Sequence, residues 1–79
     1  MTVDKTRPLS VGAIAQRSGV AVSTIHFYEA KGLIKGERTA GNQRRYPRSV
    51  LRRIAIIRTA QYVGLSLSEL KDFLDRIPE

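Results

Sequence analysis

Seven arginines and no acidic residue lie between Arg38 and Arg58: Arg38, Arg44, Arg45, Arg48, Arg52, Arg53 and Arg58. A guanidinium presents its N–H donors in a planar fork that matches a phosphate. Arginines gathered this way are chemistry for holding a polyanion. The whole chain shares the bias, with 14 Lys and Arg against 7 Asp and Glu in 79 residues and a formal net charge of +7. The acids collect toward the ends, where Glu69, Asp72, Asp75 and Glu79 close the sequence. Nucleic acid is the first partner such a balance implies, and an anionic membrane the second. No apolar run approaches the length of a membrane span, and the N-terminus does not read as a signal peptide. A solvated basic face is the plainer alternative.

Other chemistries find few residues. There is no cysteine and a single histidine, His26, so neither a disulfide, a thiol nucleophile nor a metal-ligand cluster is available. No glycine loop is patterned to cradle a phosphate, and the carboxylates fall on helix positions expected to face solvent. The chain is therefore not expected to be an enzyme, nor to hold a metal or a cofactor. Its length allows one domain with a modest core, stabilised by packing or by a partner subunit.

The elements that must position the arginines can be read from caps and periodicity. Residues 1–8 have little apolar content and read as a flexible tail, leaving 9–79 as the domain. Ser10 is an N-cap for a helix through about Arg17, with Val11, Ile14 and Ala15 inward and Ser18-Gly19 breaking it. A second helix runs from about Val22 to Lys31, with Ile25 and either Tyr28 or Phe27 inward. Ala21 stands at its cap position, at a cost of about 0.5–2 kcal/mol against a polar cap, and Gly32 stops it. Leu33-Ile34 and Arg45-Tyr46 are expected in two short strands around the polar loop from Gly36 to Gln43. A third helix spans about Pro47 to Val63 with Val50, Ile54 and Ile57 on one stripe and Leu51 beside it. Ser66-Leu67-Ser68-Glu69 is a capping box for a fourth, with Leu67, Leu70, Phe73, Leu74 and Ile77 at helical spacing and Pro78 closing it.

A helix-turn-helix needs a small residue where the two backbones pass, a turn residue tolerant of positive φ, and a branched apolar residue pointing back from the second helix. Ala15, Gly19 and Ile25 meet these needs in order, with Val20 plugging the turn. Such a unit lays its second helix in the DNA major groove. An ordinary αα-hairpin has similar requirements. The basic hairpin that follows favours the DNA reading, because a wing bearing Arg38, Arg44 and Arg45 can lie along the backbone beside that groove. The start of the third helix breaks a local rule: Pro47-Arg48, then Arg52 and Arg53, stand where the helix dipole prefers acids. Phosphate would compensate them. The expected fold class is mainly α, a winged helix-turn-helix of four helices with a small β-hairpin wing.

The stretches "LSVGAIAQRSGVAVSTIHFYEAKGLI" and "GNQRRYPRSVLRRIAIIRTAQYVGLSLSEL" resemble the MerR family of transcription regulators. "SGVAVS", "HFYEAKGLI" and "GNQRRY" place the likeness in its redox-responsive SoxR-like branch. It runs from Leu9 to Leu74. It implies sequence-specific binding to double-stranded promoter DNA, distortion of the promoter spacer and thereby an indirect partnership with RNA polymerase. It implies a homodimer where a long dimerisation helix follows the domain, and an iron–sulfur cluster on four cysteines beyond that helix in a full-length SoxR-like relative. Those cysteines are absent here, so no cofactor is expected in this chain, which reads as part of a longer regulator or as a natural short form. By position, the resemblance gives Ser23, Thr24 and His26 to base edges and nearby phosphates, Tyr28 to a phosphate, and Lys31 to the helix end. It makes Arg44 the wing arginine, flanked by Asn42, Gln43, Arg45 and Tyr46, and brings Arg52 and Gln61 toward the backbone, beside Arg38 and Arg48.

Plainer readings stay open at several of these positions. Tyr46 and Tyr28 are equally suited to the core, and His26 to simple exposure. Phe27 and Phe73 are expected in the core, while Ile56, off the third-helix stripe, marks a surface for a partner. Two other functions compete with a cytoplasmic, nucleoid-associated transcription activator: an excisionase-like architectural DNA binder without a sensor domain, and a basic protein-interaction module.

Overall fold

A computed structural model describes residues 7–76. The expected tail over residues 1–6, and the places given to Ile77 and Pro78, lie outside the described residues. Four helices and a hairpin follow in the order α1 (Val11–Ser18), α2 (Val22–Ala30), β1 (Glu37–Arg38), β2 (Arg44–Arg45), α3 (Ser49–Tyr62) and α4 (Leu67–Arg76). This is the mainly helical winged arrangement read from the sequence.

The local chemistry explains the boundaries. Ser10 caps α1 by accepting a hydrogen bond from the Ala13 N–H at 3.1 Å, and Gly19 ends it in the left-handed region at φ 76°, a conformation that costs glycine no Cβ clash. The turn into α2 is therefore tight. α2 opens on Ala21 with no side-chain cap, as expected. It closes when the Leu33 N–H donates to the Tyr28 carbonyl and Gly32, at φ 76°, donates to that of Glu29, the paired bonds of a Schellman end. At α4, Ser66 and Glu69 exchange bonds as a capping box: the Glu69 N–H donates to Ser66 Oγ at 3.1 Å and the Ser66 N–H to Glu69 Oε1 at 3.3 Å. Those bonds hold the Glu69 carboxyl below its ordinary range.

The strands differ from expectation. Leu33 and Ile34 are not a strand; both are buried in the core, in the turn that leaves α2. β1 begins further on, pairing antiparallel with β2 in the register Glu37 to Arg45 and Arg38 to Arg44. Leu33 and Ile34 look like a strand by residue type, but the Schellman end points them straight beneath the helices. Tyr46 follows β2 and pairs instead with Leu9, through two backbone bonds of 2.8 Å, so the residues before α1 tie down the end of the hairpin. The loop turns on Asn42 at φ 62°. α3 also starts later than expected, at Ser49, with Pro47 and Arg48 outside it.

One core holds the elements together: Ile14 of α1, Ile25 and Tyr28 of α2, Leu33 and Ile34, Tyr46, Val50, Ile54, Ile57 and Ala60 of α3, and Leu70 and Leu74 of α4. The expected α3 stripe is present in it. Ile56 is half-buried and packs against this core. Phe73, expected inside, is 52 % exposed. Among the described residues no helix is long and apolar enough to cross a membrane.

Candidate nucleic-acid interface

With Ile25 and Tyr28 buried, α2 turns its opposite side outward. A step of 100° per residue puts Ser23, His26, Phe27, Ala30 and Lys31 there, and all five are exposed. Thr24, between the two faces, is half-buried. Phe27 is the correction on this helix. Of the two aromatics offered for the core, Tyr28 is taken and Phe27 remains 44 % exposed, with the Lys31 Nζ over its ring at 5.6 Å from the centroid. An exposed ring between His26 and Lys31 suits apolar contact with a thymine methyl. The alternation in Phe27-Tyr28 hid it, because either ring is apolar enough to be buried.

The hairpin stands beside this face. A surface groove is lined by His26, Glu29 and Ala30 from α2 and by Arg38, Arg44 and Tyr46 from the hairpin, so helix and wing share one surface. Within the wing, Arg38 Nη1 donates to Asn42 Oδ1 at 3.2 Å, and Arg45 Nη2 donates to Gln43 Oε1 at 2.7 Å. Asn42 and Gln43 thus orient the arginines as well as offering their own amides. Arg44 pairs with Glu29 of α2.

Two tyrosines stand differently from the roles the resemblance gave them. Tyr46 is fully buried and its hydroxyl donates to Glu29 Oε1 at 2.6 Å. It supports the wing from below, with its hydroxyl engaged inside the domain. Tyr28 is 4 % exposed, and its hydroxyl donates to Gln61 Oε1 of α3 at 3.1 Å. That bond engages both proposed phosphate contacts with each other.

The third-helix arginines divide. Arg52 is exposed and Arg48 half-buried at the helix start, where no side chain caps the helix and no acid occupies the first turn. Arg53 turns inward, donating to the Leu33 carbonyl at 3.4 Å and the Leu74 carbonyl at 3.3 Å. It ties α4 to the segment after α2 and leaves the anion-facing set. Arg58 Nη1 donates to the Ser18 carbonyl at 2.9 Å, satisfying an end of α1. Spacing alone made these arginines one group; bonds to carbonyls of other elements set Arg53 and Arg58 apart. Glu29 is the residue that sequence reasoning missed. An acid in a basic region reads as ordinary decoration until its two partners are seen.

Comparison with known proteins gives this arrangement its relatives. The profile of the MerR HTH family of regulatory proteins matches residues 9–77. A SoxR homolog of Chromobacterium violaceum, an HTH-type transcriptional activator, is 44 % identical over 70 residues, covering 89 % of this chain and 47 % of the relative. Among solved structures, the transcription regulator PbrR691 of Ralstonia metallidurans, in complex with lead(II), superposes with a TM-score of 0.77 at 29 % identity over 85 % of this chain and 53 % of that one. HiNmlR, a MerR family regulator lacking the sensor domain and bound to promoter DNA, superposes at 0.75 with 23 % identity, over 87 % and 56 %, a likeness of fold. The chain spans about half the length of the curated relatives it matches.

Proposed function

The chain belongs to the MerR HTH family of regulatory proteins, and from that premise we propose that it binds double-stranded promoter DNA as the reading domain of a transcription regulator. The observation that carries the reading is the groove shared by α2 and the wing, lined by His26, Glu29 and Ala30 on one side and Arg38 and Arg44 on the other, beside the exposed helix face of Ser23, Phe27 and Lys31. A helix of this kind fits the major groove, and arginines beside it reach the flanking phosphates.

In this arrangement Ser23, His26 and Phe27 read base edges, helped by Thr24, while Lys31, Arg38, Asn42, Gln43, Arg44, Arg45, Arg48 and Arg52 position the domain on the backbone. Gln61 and the Tyr28 hydroxyl join them by exchanging their mutual bond for one to phosphate. The domain is taken from residue 9 onward. Where a dimerisation helix follows it, two copies hold two half-sites and gain by effective concentration, and RNA polymerase is engaged indirectly through the promoter. Such a protein works where the chromosome is, in the bacterial cytoplasm. The curated relatives are named as regulators, and no catalysis is assigned to this chain. It contains no cysteine, so nothing in it fits the four-cysteine ligand set of an iron–sulfur cluster.

The test is a fluorescence-anisotropy titration with a duplex enriched from a random pool and a scrambled version, at several salt concentrations. The enriched duplex should bind more tightly, with affinity falling steeply as salt rises. Arg44→Ala should weaken both and reduce the slope of log K against log salt by about one. Equal, feeble binding to both duplexes would overturn the reading.

A further inference from the structure

Glu29, upstream of the acid-free run, turns its carboxylate toward an arginine within that run. Glu29 lies on the side of α2 that meets the hairpin, with its side chain 20 % exposed, and each of its oxygens has a separate partner. Oε1 accepts the hydroxyl of the buried Tyr46 at 2.6 Å, and Oε2 pairs with Nη2 of Arg44. Gly36 completes the seat. A Cβ there would stand 2.7 Å from Tyr46 Cε2 and 3.0 Å from Arg44 Nε, so the backbone passes directly against both partners of the carboxylate. A carboxylate this close to a phosphate-binding surface repels DNA by simple charge, which sets the problem its presence poses.

We propose that Glu29 is a positioning residue for DNA binding: it locks the wing to the recognition helix and presents the Arg44 guanidinium at a fixed place beside the groove. The claim rests on the DNA-binding reading above. Arg44 keeps Nη2 on Glu29 with its side chain still 34 % exposed, so a phosphate meets an arginine already ordered. An arginine left unpaired would lose the entropy of its long side chain at the moment of binding. The Tyr46 bond stops the carboxylate itself from swinging toward solvent. The wing and α2 then approach DNA as one rigid unit, and the spacing between the base-reading helix and the backbone contact is set before the encounter.

The test exploits a sign. Glu29→Gln keeps an oxygen for the Tyr46 hydroxyl, removes the negative charge paired with Arg44 and raises the net charge from +7 by one. Electrostatics alone predicts tighter DNA binding by the variant. Positioning predicts weaker binding to the enriched duplex, by roughly threefold to tenfold, in the lower part of the range of couplings between contacting residues. It also predicts that Glu29→Gln adds little when Arg44 is already alanine. Backbone ¹⁵N relaxation of the free chain reads the lock without DNA: residues 37–45 should gain mobility in the variant while α1 and α3 keep theirs. Tighter or unchanged binding with an unchanged wing would overturn the proposal. If the parent chain itself binds no duplex, the DNA-binding reading fails, and the relaxation comparison still decides whether Glu29 locks the wing.

Discussion

Gly36 has a φ within the ordinary range, so its importance comes from space and not from conformation. The ring of Tyr46 and the Arg44 Nε fill the volume that a Cβ would occupy. Gly36→Ala should therefore destabilise the chain by about 1–3 kcal/mol, the usual cost of overpacking, in a urea melt. The same change should loosen the wing and weaken DNA binding further than the stability loss explains. Phe27 makes the opposite case. Its ring is exposed, so Phe27→Ala should change stability by less than about 0.5 kcal/mol. Affinity for the enriched duplex should nevertheless fall by roughly 1–2 kcal/mol, the scale of one apolar side chain leaving water, with little effect on the scrambled duplex. A melt and an anisotropy titration on one preparation separate these outcomes. At this scale the sequence was only partly legible. Charge marked Arg38, Arg44 and Arg52 as candidates, but the residues that seat Arg44, Glu29 and Gly36, act by close contact across the chain and carry no local signal.

The helices were legible because their ends are chemically marked. Ser10, Gly19, Gly32 and the Ser66–Glu69 box each satisfy backbone groups at the place where the residue type indicates. The strands were not, because two-residue strands have no periodicity to read and Leu33-Ile34 is an apolar pair that serves equally well as core. Pro47 misled by the same logic: suited to a first helical turn, it stands before Arg48 because the bridge to Leu9 holds the preceding residue extended. The α4 cap gives a pH prediction. Hydrogen bonds from Ser66 hold the Glu69 carboxyl below its ordinary value, so ionised Glu69 favours the folded cap. That contribution is complete above the ordinary glutamate range and is lost as pH falls through the lowered folded value. Amide exchange at the first turn of α4 should accelerate over that acid range before α1 responds. Glu69→Gln should abolish the difference.

At the scale of the molecule, the sequence supplied a sign and a partner class, and the fold supplied the division of labour. Arg53 and Arg58 donate to carbonyls of other elements, while Arg38 bonds within its own hairpin and Arg52 is exposed, so a count of basic residues overstates the phosphate contacts. Besides Val22 and Phe27 of α2, the exposed large apolar residues among those described, Tyr62, Val63, Leu65 and Phe73, belong to the end of α3, the turn after it and α4. The central claim is that the groove between α2 and the wing is the DNA interface. The measurement that tests it most directly is a ¹H–¹⁵N correlation titration of the chain with the enriched duplex. The account predicts that resonance shifts concentrate in residues 22–31 and 37–46, with Phe73 and its neighbours on α4 unmoved. Shifts confined to residues 62–73, or none at any duplex concentration, would contradict it.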